Sequence, residues 1–567
     1  MGLLTLVFAR FLGLLEDWSR CTFNSAHTQE KTEFEMAIER VIIKNYRALR
    51  NTDVRFKPGT NIIVGDNESG KSTILEAMNL ALRCQLNRRP AAYELHPFLF
   101  NRPAVAEFIA SHKAGAPTPP PMIEIELYFA ASPNVADFRG VNNSQQDDQA
   151  HGLALQIKLD EENFAEEYAS YVEDADALND IPVEYYKIEW RSFAWGPTLT
   201  PQAVPMKSTL IDPSAISNTY AANKYVVETL RNYLSKPEQV HLALSYRSMR
   251  DEFQSDDRIQ AINESLAAQT GVVTDKTLSV AMDTTTRASW ETGVLPHLDD
   301  IPLTLVGKGE QNSIKIKLAM AAAGGCDIFL MEEPENHLSH GNLGRLVKHL
   351  SDSCEGKQLI VSTHSSFVLN KLGVDNVIMF DGATGVTLDD LPADTKSYFK
   401  RLPGHDTLRM MLAVRTILVE GPSDELVVQK GFQQKHGVLP LQAGVEVISV
   451  GTSFKRFLDI ALRLNLDVCV VRDNDGDAAG KTALFEDYVG NDNIVVCIDG
   501  DNDARTLEPQ LIKANGLQKL NTMLGEEFPD AGALEEHMTA NKTDVALKLF
   551  EHADPLEIPE YIQHAIR

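Results

Sequence analysis

The first apolar pattern of the chain is strand, turn, strand, followed by a helix. The segments of strand length cover residues 37–44, 53–56 and 61–64. From Ile74 to Leu82 the apolar residues change to helical spacing, so a helix is predicted there. Residues 1–35 precede this pattern and are expected to lie outside the fold.

The middle of the chain alternates apolar and polar residues with a period of two, which is typical of half-buried strands. This pattern predicts an antiparallel β meander over about residues 122–212. Its strand segments are 122–129, 152–159, 183–195 and 204–211. Residues 214–268 then change to helical spacing, as at Tyr225 and Leu230, and are expected to form a helical insertion.

Continuous apolar runs, of the kind that buried parallel strands show, follow in the second half of the chain. They are 326–331, 359–363, 416–420, 445–450, 468–471 and 494–498. Helical segments such as 454–464 alternate with them, which predicts parallel sheets and an α/β fold. A polar connector at 381–406 divides the runs into two groups. Because 567 residues are too many for one hydrophobic core, we predict domains at 36–405 and 406–567.

The composition gives more information on the cellular compartment and the binding partners of the protein than on its fold. The six cysteines are scattered without a CxxC pair, which argues against structural zinc and fits the reducing cytoplasm. No apolar run reaches the ~20 residues that span a bilayer, so no membrane association is expected. The formal net charge of −27 disfavours nucleic acid as a partner, although a local basic groove can exist on an acidic protein.

A complete phosphate-binding loop, G-x4-G-K-S, lies between the third strand and the first helix. Its glycines let backbone N–H groups point at phosphates, at the N-terminus of the helix. Lys71 would bridge the β- and γ-phosphates of ATP, and Ser72 would ligate Mg²⁺. The residues predicted to bind nucleotide are Gly65, Asn67, Gly70, Lys71, Ser72 and Thr73.

Further elements fit the same nucleotide. An apolar strand delivers Glu332 and Glu333, of which Glu332 would hold Mg²⁺ and Glu333 would orient the attacking water. Paired glutamates are also common at helix N-termini, so this reading depends on the phosphate loop. His364 ends the neighbouring strand and is predicted to sense the γ-phosphate. Gly307 and Gly309 open a further helix, whose predicted span is 313–323, and would present donors to a phosphate.

A second concentration of carboxylates follows two strands of the later group. Its members are Glu420, Asp424, Asp473, Asp475 and Asp477. Carboxylates at this spacing tolerate each other when a cation neutralises them, and a solvated acidic loop is the alternative. A calcium loop of the EF-hand type is excluded, because Ala478 replaces the required glycine and Leu484 the bidentate glutamate.

The elements of the nucleotide site together resemble the ATP-binding-cassette (ABC) ATPases of the RecF, Rad50 and SMC kind, over about residues 36–405. In that family the Gly307–Gln311 region of one subunit completes the phosphate loop of another. The resemblance therefore implies a homodimer or higher homo-oligomer, with the insertion at 214–268 as a candidate dimerisation element. Glu332 stands where the family usually has aspartate, and the familiar Leu-Ser-Gly-Gly signature is absent.

The Glu420-Gly421 turn with Asp473-x-Asp475 resembles the Toprim domain of topoisomerases, primases and some nucleases. A primase would need a zinc module and a topoisomerase a separate tyrosine-bearing domain, which leaves nuclease as the best match. An ABC ATPase followed by a Toprim domain is the arrangement of the OLD (overcoming lysogenization defect) family of ATP-dependent endonucleases. The run from Arg401 to Arg409 that leads into Glu420 is similar to that family's junction.

The family resemblance assigns roles to individual residues. Glu508 and Lys542 lie in segments similar to the family's third acidic segment and its catalytic-lysine segment. Lys542 would neutralise charge in the transition state, and Glu420 counts among the catalytic residues. The residues that would hold two Mg²⁺ or Mn²⁺ ions are Glu420, Asp424, Asp473, Asp475 and Glu508.

The resulting hypothesis is a cytoplasmic, ATP-regulated and metal-dependent DNA endonuclease or nickase. The resemblance further implies a role in defence against phage, beside a helicase or a retron reverse transcriptase. Two alternatives stay open at this point. One is a non-nucleolytic DNA-repair ATPase, and the other is a nucleotide-sensing scaffold for a partner effector.

Overall fold

The structure is a computed structural model, which describes residues 36–87, 89–173, 178–212, 227, 231, 234–267, 279–281, 295–322, 325–402, 404 and 406–567. The predicted extension at 1–35 lies outside the described residues. So do Tyr225 and Leu230, on which the helical insertion was predicted.

The strands and helices of the described residues are numbered in chain order. The strands are β1 (Ile38–Tyr46), β2 (Leu49–Arg55), β3 (Thr60–Val64), β4 (Gln85–Leu86), β5 (Arg89–Pro90), β6 (Ile123–Phe129), β7 (His151–Leu159), β8 (Tyr186–Ser192), β9 (Ser208–Ile211), β10 (His297–Leu298), β11 (Ile301–Pro302), β12 (Ile328–Glu332), β13 (Gln358–Ser362), β14 (Val377–Phe380), β15 (Gly385–Thr387), β16 (Arg415–Val419), β17 (Val445–Ser449), β18 (Val468–Arg472) and β19 (Ile494–Ile498). The helices are α1 (Lys71–Arg83), α2 (Arg102–Lys113), α3 (Glu161–Glu173), α4 (Lys236–Ser255), α5 (Asp257–Ala267), α6 (Lys308–Ala322), α7 (His340–Ser353), α8 (Ser366–Leu372), α9 (Ala393–Arg401), α10 (Thr407–Leu412), α11 (Pro422–His436), α12 (Phe454–Leu464), α13 (Ala478–Ala483), α14 (Leu507–Asn515), α15 (Leu517–Leu524), α16 (Ala531–Ala540), α17 (Lys542–Glu551) and α18 (Glu560–Ala565).

The first large sheet is antiparallel, with strand order β2-β1-β6-β7-β8. Apolar residues of these strands, such as Ile125 and Leu155, belong to one buried core with Ile74, Leu75 and Met78 of α1. Burial of this apolar area is the main stabilising term, because each fully buried aliphatic side chain contributes about 1.5–3 kcal/mol. The sheet thereby fixes the helix that follows the phosphate loop.

The second sheet, in the order β15-β14-β3-β13-β12-β9, is parallel apart from its β14–β15 pair. The carboxyl ends of β3, β12 and β13 therefore meet at one edge, where open α/β sheets bind ligands. The phosphate loop follows β3, Glu333 follows β12, and Thr363 and His364 follow β13. Residues from distant parts of the chain are brought to one place by this topology.

The prediction that 204–211 is the last strand of the antiparallel meander is wrong. This segment contains β9, which pairs in parallel with β12 in the second sheet, with Ser208 opposite Ile328 and Leu210 opposite Leu330. Alternating apolar residues predict that a strand exists but carry no information on its partner or direction. Consequently the residue after β9, Asp212, is delivered to the edge of the sheet that carries the phosphate loop.

The third sheet is parallel, in the order β17-β16-β18-β19, and forms a separate core with its helices. The chain leaves β16 to one side for β17 and returns to the other side for β18. This reversal opens a crevice outside the carboxyl ends of β16 and β18, at the topological switch point where such folds bind ligands. Glu420 follows β16 directly and Asp473 follows β18.

The predicted polar connector at 381–406 contains strand β15 and helix α9. Helix α9 packs on α12 beside the third sheet. Thr395 donates a hydrogen bond to Asp459 at 2.5 Å, and the rings of Phe399 and Phe457 lie 5.2 Å apart. The parts that carry the second and third sheets are therefore in direct contact.

No helix among the described residues is long and apolar enough to cross a membrane.

Candidate functional site

The phosphate loop requires glycine at two of its positions. A Cβ atom at Gly65 would lie 2.3 Å from the carbonyl oxygen of Phe380, so a side chain has no room there. Gly70 has φ +99°, a left-handed conformation that glycine adopts without steric cost. Helix α1 begins at the next residue, Lys71. The local geometry thus has the form that phosphate binding at a helix N-terminus needs.

Lys71 is buried, and its ammonium group is held at the loop. Its Nζ atom donates to the carbonyl oxygens of Gly65 at 3.0 Å and Asp66 at 2.8 Å. Burial lowers the pKa of Lys71, while the nearby carboxylates of Glu333 and Asp66 act to raise it. The ammonium group of Lys71 is therefore close enough to Glu333 for their charges to interact.

Glu332 is surrounded by other carboxylates. Burial raises its pKa to about 7, the charges of Asp212, Glu76 and Glu333 add to this, and a hydrogen bond with Ser72 opposes it. The structure thus brings Ser72 and Glu332 together, as an Mg²⁺ pair requires. Asp212 was missed by the sequence reasoning, because its proximity depends on the parallel pairing of β9.

Glu333 and His364 face each other at the same edge. The Nε2 atom of His364 lies 3.8 Å from Oε1 of Glu333, and Asn336 donates to the other oxygen at 2.7 Å. Glu333 has φ +37°, a strained conformation for a residue with a side chain. Burial lowers the pKa of His364, and the charge of Lys71 lowers it further. Lys71, Glu333 and His364 consequently share one site.

Glu335 is a second residue that the sequence reasoning missed. Its Oε1 atom accepts hydrogen bonds from Thr363 Oγ1 at 2.8 Å and from the backbone N–H of His364 at 2.7 Å. Burial raises the pKa of this carboxyl group. Glu335 therefore fixes the segment that presents His364. The signal in the sequence that could have identified Glu335 is its position two residues after the Glu332–Glu333 pair.

Helix α6 begins at Lys308, earlier than the predicted start at 313, so Gly309 lies in its first turn. A Cβ atom at Gly309 would lie 2.3 Å from the carbonyl oxygen of His337, whereas one at Gly307 would meet nothing within 4 Å. Gly309 therefore lets the helix approach the segment after β12. The role of both glycines in the site of another subunit stays a prediction.

The carboxylates of the third sheet lie close enough to repel one another. Burial raises the pKa of Asp424 to about 6, and Glu420 and Glu508 add to the shift. Burial raises the pKa of Asp473 to about 8, with further contributions from Asp424, Glu420 and Glu508. Asp424 also accepts a hydrogen bond from the backbone N–H of Gly421 at 3.0 Å, which orients it in the first turn of α11.

Glu508 and Lys542 complete this group. Glu508 is 3% exposed, and Lys542 Nζ lies 3.2 Å from its Oε1 atom. Burial acts to lower the pKa of Lys542, but the charges of Glu508, Asp473 and Asp424 outweigh it and raise the pKa. The short similarity that suggested Lys542 therefore corresponds to a lysine beside the carboxylate cluster. It is the first residue of α17.

Asp475 is placed differently from the other carboxylates. It has φ +50°, its side chain is 46% exposed, and it pairs with Lys481. Its charge nevertheless contributes to raising the pKa of Glu420, after burial as the main cause. The intervening Asn474 was missed, although it is buried and donates to the carbonyl oxygens of Asp499 and Asp501. Asn474 thereby joins the loops that follow β18 and β19.

The donor set fits a hard divalent cation in kind, because Mg²⁺ and Mn²⁺ prefer carboxylate oxygens. The Oε2 atom of Glu420 is buried and has no hydrogen-bond partner among the described residues, which leaves an acceptor available to a cation. Within the described ranges, no three Asp, Glu, His or Cys side chains are gathered closely enough to ligate one ion as they stand. Side-chain rotation would be needed to close the set around an ion.

Two protein-family models match the chain. An AAA ATPase domain matches residues 36–254, and an "Overcoming lysogenization defect protein-like, TOPRIM domain" matches residues 411–475. These matches define an ATPase domain followed by a C-terminal Toprim domain. The Toprim domain is of the OLD type, and the resemblance predicted from the motifs is confirmed.

Individual relatives match parts of the chain. The DNA double-strand break repair Rad50 ATPase of Methanopyrus kandleri is 51% identical over 45 residues, which are 8% of this chain and 5% of that protein. An ATP/GTP phosphatase of Helicobacter pylori is 22% identical over 349 residues, 58% of this chain and 85% of that protein. The solved structure of the recombination mediator RecF with ATP covers 63% of this chain and 100% of its own, at 11% identity and a TM-score of 0.33. The chain spans only a small part of the Rad50 relative's length.

Proposed function

We propose that this protein is an ATP-regulated, divalent-metal-dependent DNA endonuclease or nickase. The observation that carries the proposal is the group of Glu420, Asp424, Asp473 and Glu508, of which Asp424 and Glu508 are buried, with Lys542 at 3.2 Å from Glu508. Carboxylates that raise one another's pKa at the switch point of a parallel sheet are suited to a cation and not to an apolar ligand.

The carboxylates Glu420, Asp424, Asp473, Asp475 and Glu508 would hold Mg²⁺ or Mn²⁺. Bound metal would supply activation of water and stabilisation of the leaving oxygen. Lys542 would place its ammonium group beside the phosphate and neutralise charge that develops there. Because Glu508 holds this ammonium group by a direct ion pair, the lysine is oriented before DNA binds.

In the ATPase domain, Lys71 would bind the phosphates and Ser72 with Glu332 would hold Mg²⁺. Glu333 would orient water and His364 would contact the γ-phosphate. Gly307 and Gly309 would act on the site of a second subunit. Helix α4 supports an oligomer, since Val240, Leu244 and Met249 are exposed apolar residues on it.

The OLD-type Toprim domain supports DNA as substrate, and the family resemblance supports a role in defence against phage. On the same basis the protein would act in the cytoplasm, with a helicase or a retron reverse transcriptase as partner.

The test is nicking of supercoiled plasmid by the purified full chain with Mg²⁺ or Mn²⁺, with and without ATP. Wild type is compared with Asp473→Ala and with Asp492→Ala, which removes an exposed carboxylate outside the cluster. Nicking by wild type and by Asp492→Ala that is lost in Asp473→Ala supports the proposal. Equal activity of all three proteins would show that the cluster does not cut DNA. Absence of nicking under every condition would favour a DNA-repair ATPase or a nucleotide-sensing scaffold.

A further inference from the structure

A groove on the ATPase domain belongs to neither site. It encloses a cavity of about 870 Å³ next to the short β4–β5 hairpin and the start of α2. Its lining includes Tyr93, His96, Phe98 and Arg102, together with Arg47 from the turn after β1. None of these residues is among the predicted nucleotide or metal ligands.

The groove exposes aromatic rings to solvent. Tyr93 is 83% exposed, and Phe98, five residues later, is 64% exposed. The rings of His96 and Phe98 are stacked, with centroids 5.2 Å apart and an interplanar angle of 20°. Exposed aromatic groups at a cavity mark interaction sites, because leaving them in water costs free energy that a ligand recovers.

The cations of the groove are held in place. The guanidinium group of Arg102 lies over Phe98, 5.0 Å from the ring centroid, and bonds to Asp180 at 2.9 Å. Arg47 pairs with Glu76 at 2.7 Å. A guanidinium group has five N–H donors, so an arginine that bonds to one carboxylate retains donors for a phosphate. Each arginine is therefore fixed rather than fully consumed by its partner.

The charge of the lining differs from that of the chain as a whole. Among the described residues that line the cavity, two are arginines and Glu94 is acidic, whereas the chain carries a formal net charge of −27. Arginines beside exposed aromatic rings are the combination used by proteins that bind unpaired nucleic acid. In those proteins bases stack on aromatic side chains while arginines meet the phosphates.

We propose that this groove binds single-stranded DNA, with bases stacked on Tyr93 and on the His96–Phe98 pair and a phosphate at Arg102. Duplex DNA is a poorer fit, because its bases are already stacked on one another and cannot reach the rings. The inference rests on the proposed function, since it gives a DNA-cutting protein a place for an unpaired strand.

The experiment measures binding of fluorescently labelled oligo(dT) to the full chain by anisotropy, in EDTA, so that cleavage cannot interfere. Wild type is compared with Tyr93→Ala, Phe98→Ala, Tyr93→Trp and the control Tyr171→Ala, which removes a 42% exposed ring elsewhere. We expect Tyr93→Ala and Phe98→Ala to weaken binding roughly tenfold each. Tyr93→Trp, which keeps a stacking ring, and Tyr171→Ala are expected to bind like wild type.

Other occupants of the groove give different results. Unchanged oligo(dT) affinity in Tyr93→Ala and Phe98→Ala would overturn the proposal, whatever else these variants lose. If the variants lose ATP affinity but keep oligo(dT) affinity, the groove binds a free nucleotide. If they keep oligo(dT) affinity but no longer form the oligomer, the groove binds a second copy of the chain. Plasmid nicking by the same variants separates the two proposals. If wild type nicks plasmid but the variants bind oligo(dT) normally, only the groove proposal fails.

Discussion

Thr407 donates a hydrogen bond to the side-chain oxygen of Asn370 at 2.8 Å, and both residues are completely buried. Asn370 lies in α8, the helix that follows His364. Thr407 begins α10, which leads into β16 and from there to Glu420. One buried hydrogen bond thus joins the helix that follows His364 to the helix that leads into β16 and Glu420.

We predict that Asn370→Ala uncouples nicking from ATP. The substitution leaves the Thr407 hydroxyl without its partner in the interior, which weakens the α8–α10 contact by about 1–3 kcal/mol. The ratio of nicking rates with and without ATP should move toward 1, while ATP turnover and ATP-free nicking change less. Thr407→Val should give the same ratio. Thr395→Val, which breaks the α9–α12 bond instead, is the control. An unchanged ratio in a folded Asn370→Ala protein would contradict coupling through the Asn370–Thr407 hydrogen bond.

Gly309→Ala should impair ATP turnover, and Gly307→Ala should not alter the fold. A methyl group at Gly309 would meet the carbonyl oxygen of His337 at 2.3 Å, so α6 or the segment after β12 must shift. The same group at Gly307 meets nothing within 4 Å. Steady-state ATP hydrolysis and thermal unfolding of both variants check this. Equal thermal stability of the two variants would show that the backbone absorbs the contact without cost.

The metal-free protein should lose stability as the pH rises from about 4 to about 8. The pKa of Asp473 is raised to about 8 in the folded chain, whereas an unfolded aspartate titrates near 4. The folded state therefore holds a proton that the unfolded state releases, and this favours unfolding as pH increases. In EDTA, Asp473→Asn should raise the apparent Tm at pH 8 by at least about 2 °C and by less at pH 5.5. Asp492→Asn is the matched control, and an equal gain at both pH values would contradict the assignment.

Lys542→Ala should reduce metal-dependent nicking by about 100-fold or more, because a positive charge beside the developing phosphate charge is removed. Lys548 lies on the same helix and pairs with Glu526 at 3.7 Å, so Lys548→Ala serves as a control with the same loss of charge. Nicking rates over a range of Mn²⁺ concentrations distinguish a lost charge from weakened metal binding. Full activity at saturating Mn²⁺ would show that Lys542 acts only through Glu508.

The residues that could be predicted from the sequence are those defined by local spacing. The phosphate loop that contains Lys71 and the strand that ends at Glu332 are local motifs, and each has the predicted strand or helix beside it. Asp212 and Asn474 could not be found in this way, because their roles depend on which strands and loops become neighbours. The wrong placement of 204–211 has the same origin, since apolar alternation specifies neither partner nor direction of a strand.

The order in which the carboxylate cluster is encoded has a consequence for synthesis. Glu420, Asp424 and Asp473 precede β19, whereas Glu508 and Lys542 lie in helices that follow it. A nascent chain that has emerged only as far as β19 can pair all strands of the third sheet, yet it has neither the third acidic segment nor the lysine. Translation itself therefore delays completion of the centre until the helices that cover the sheet have been made.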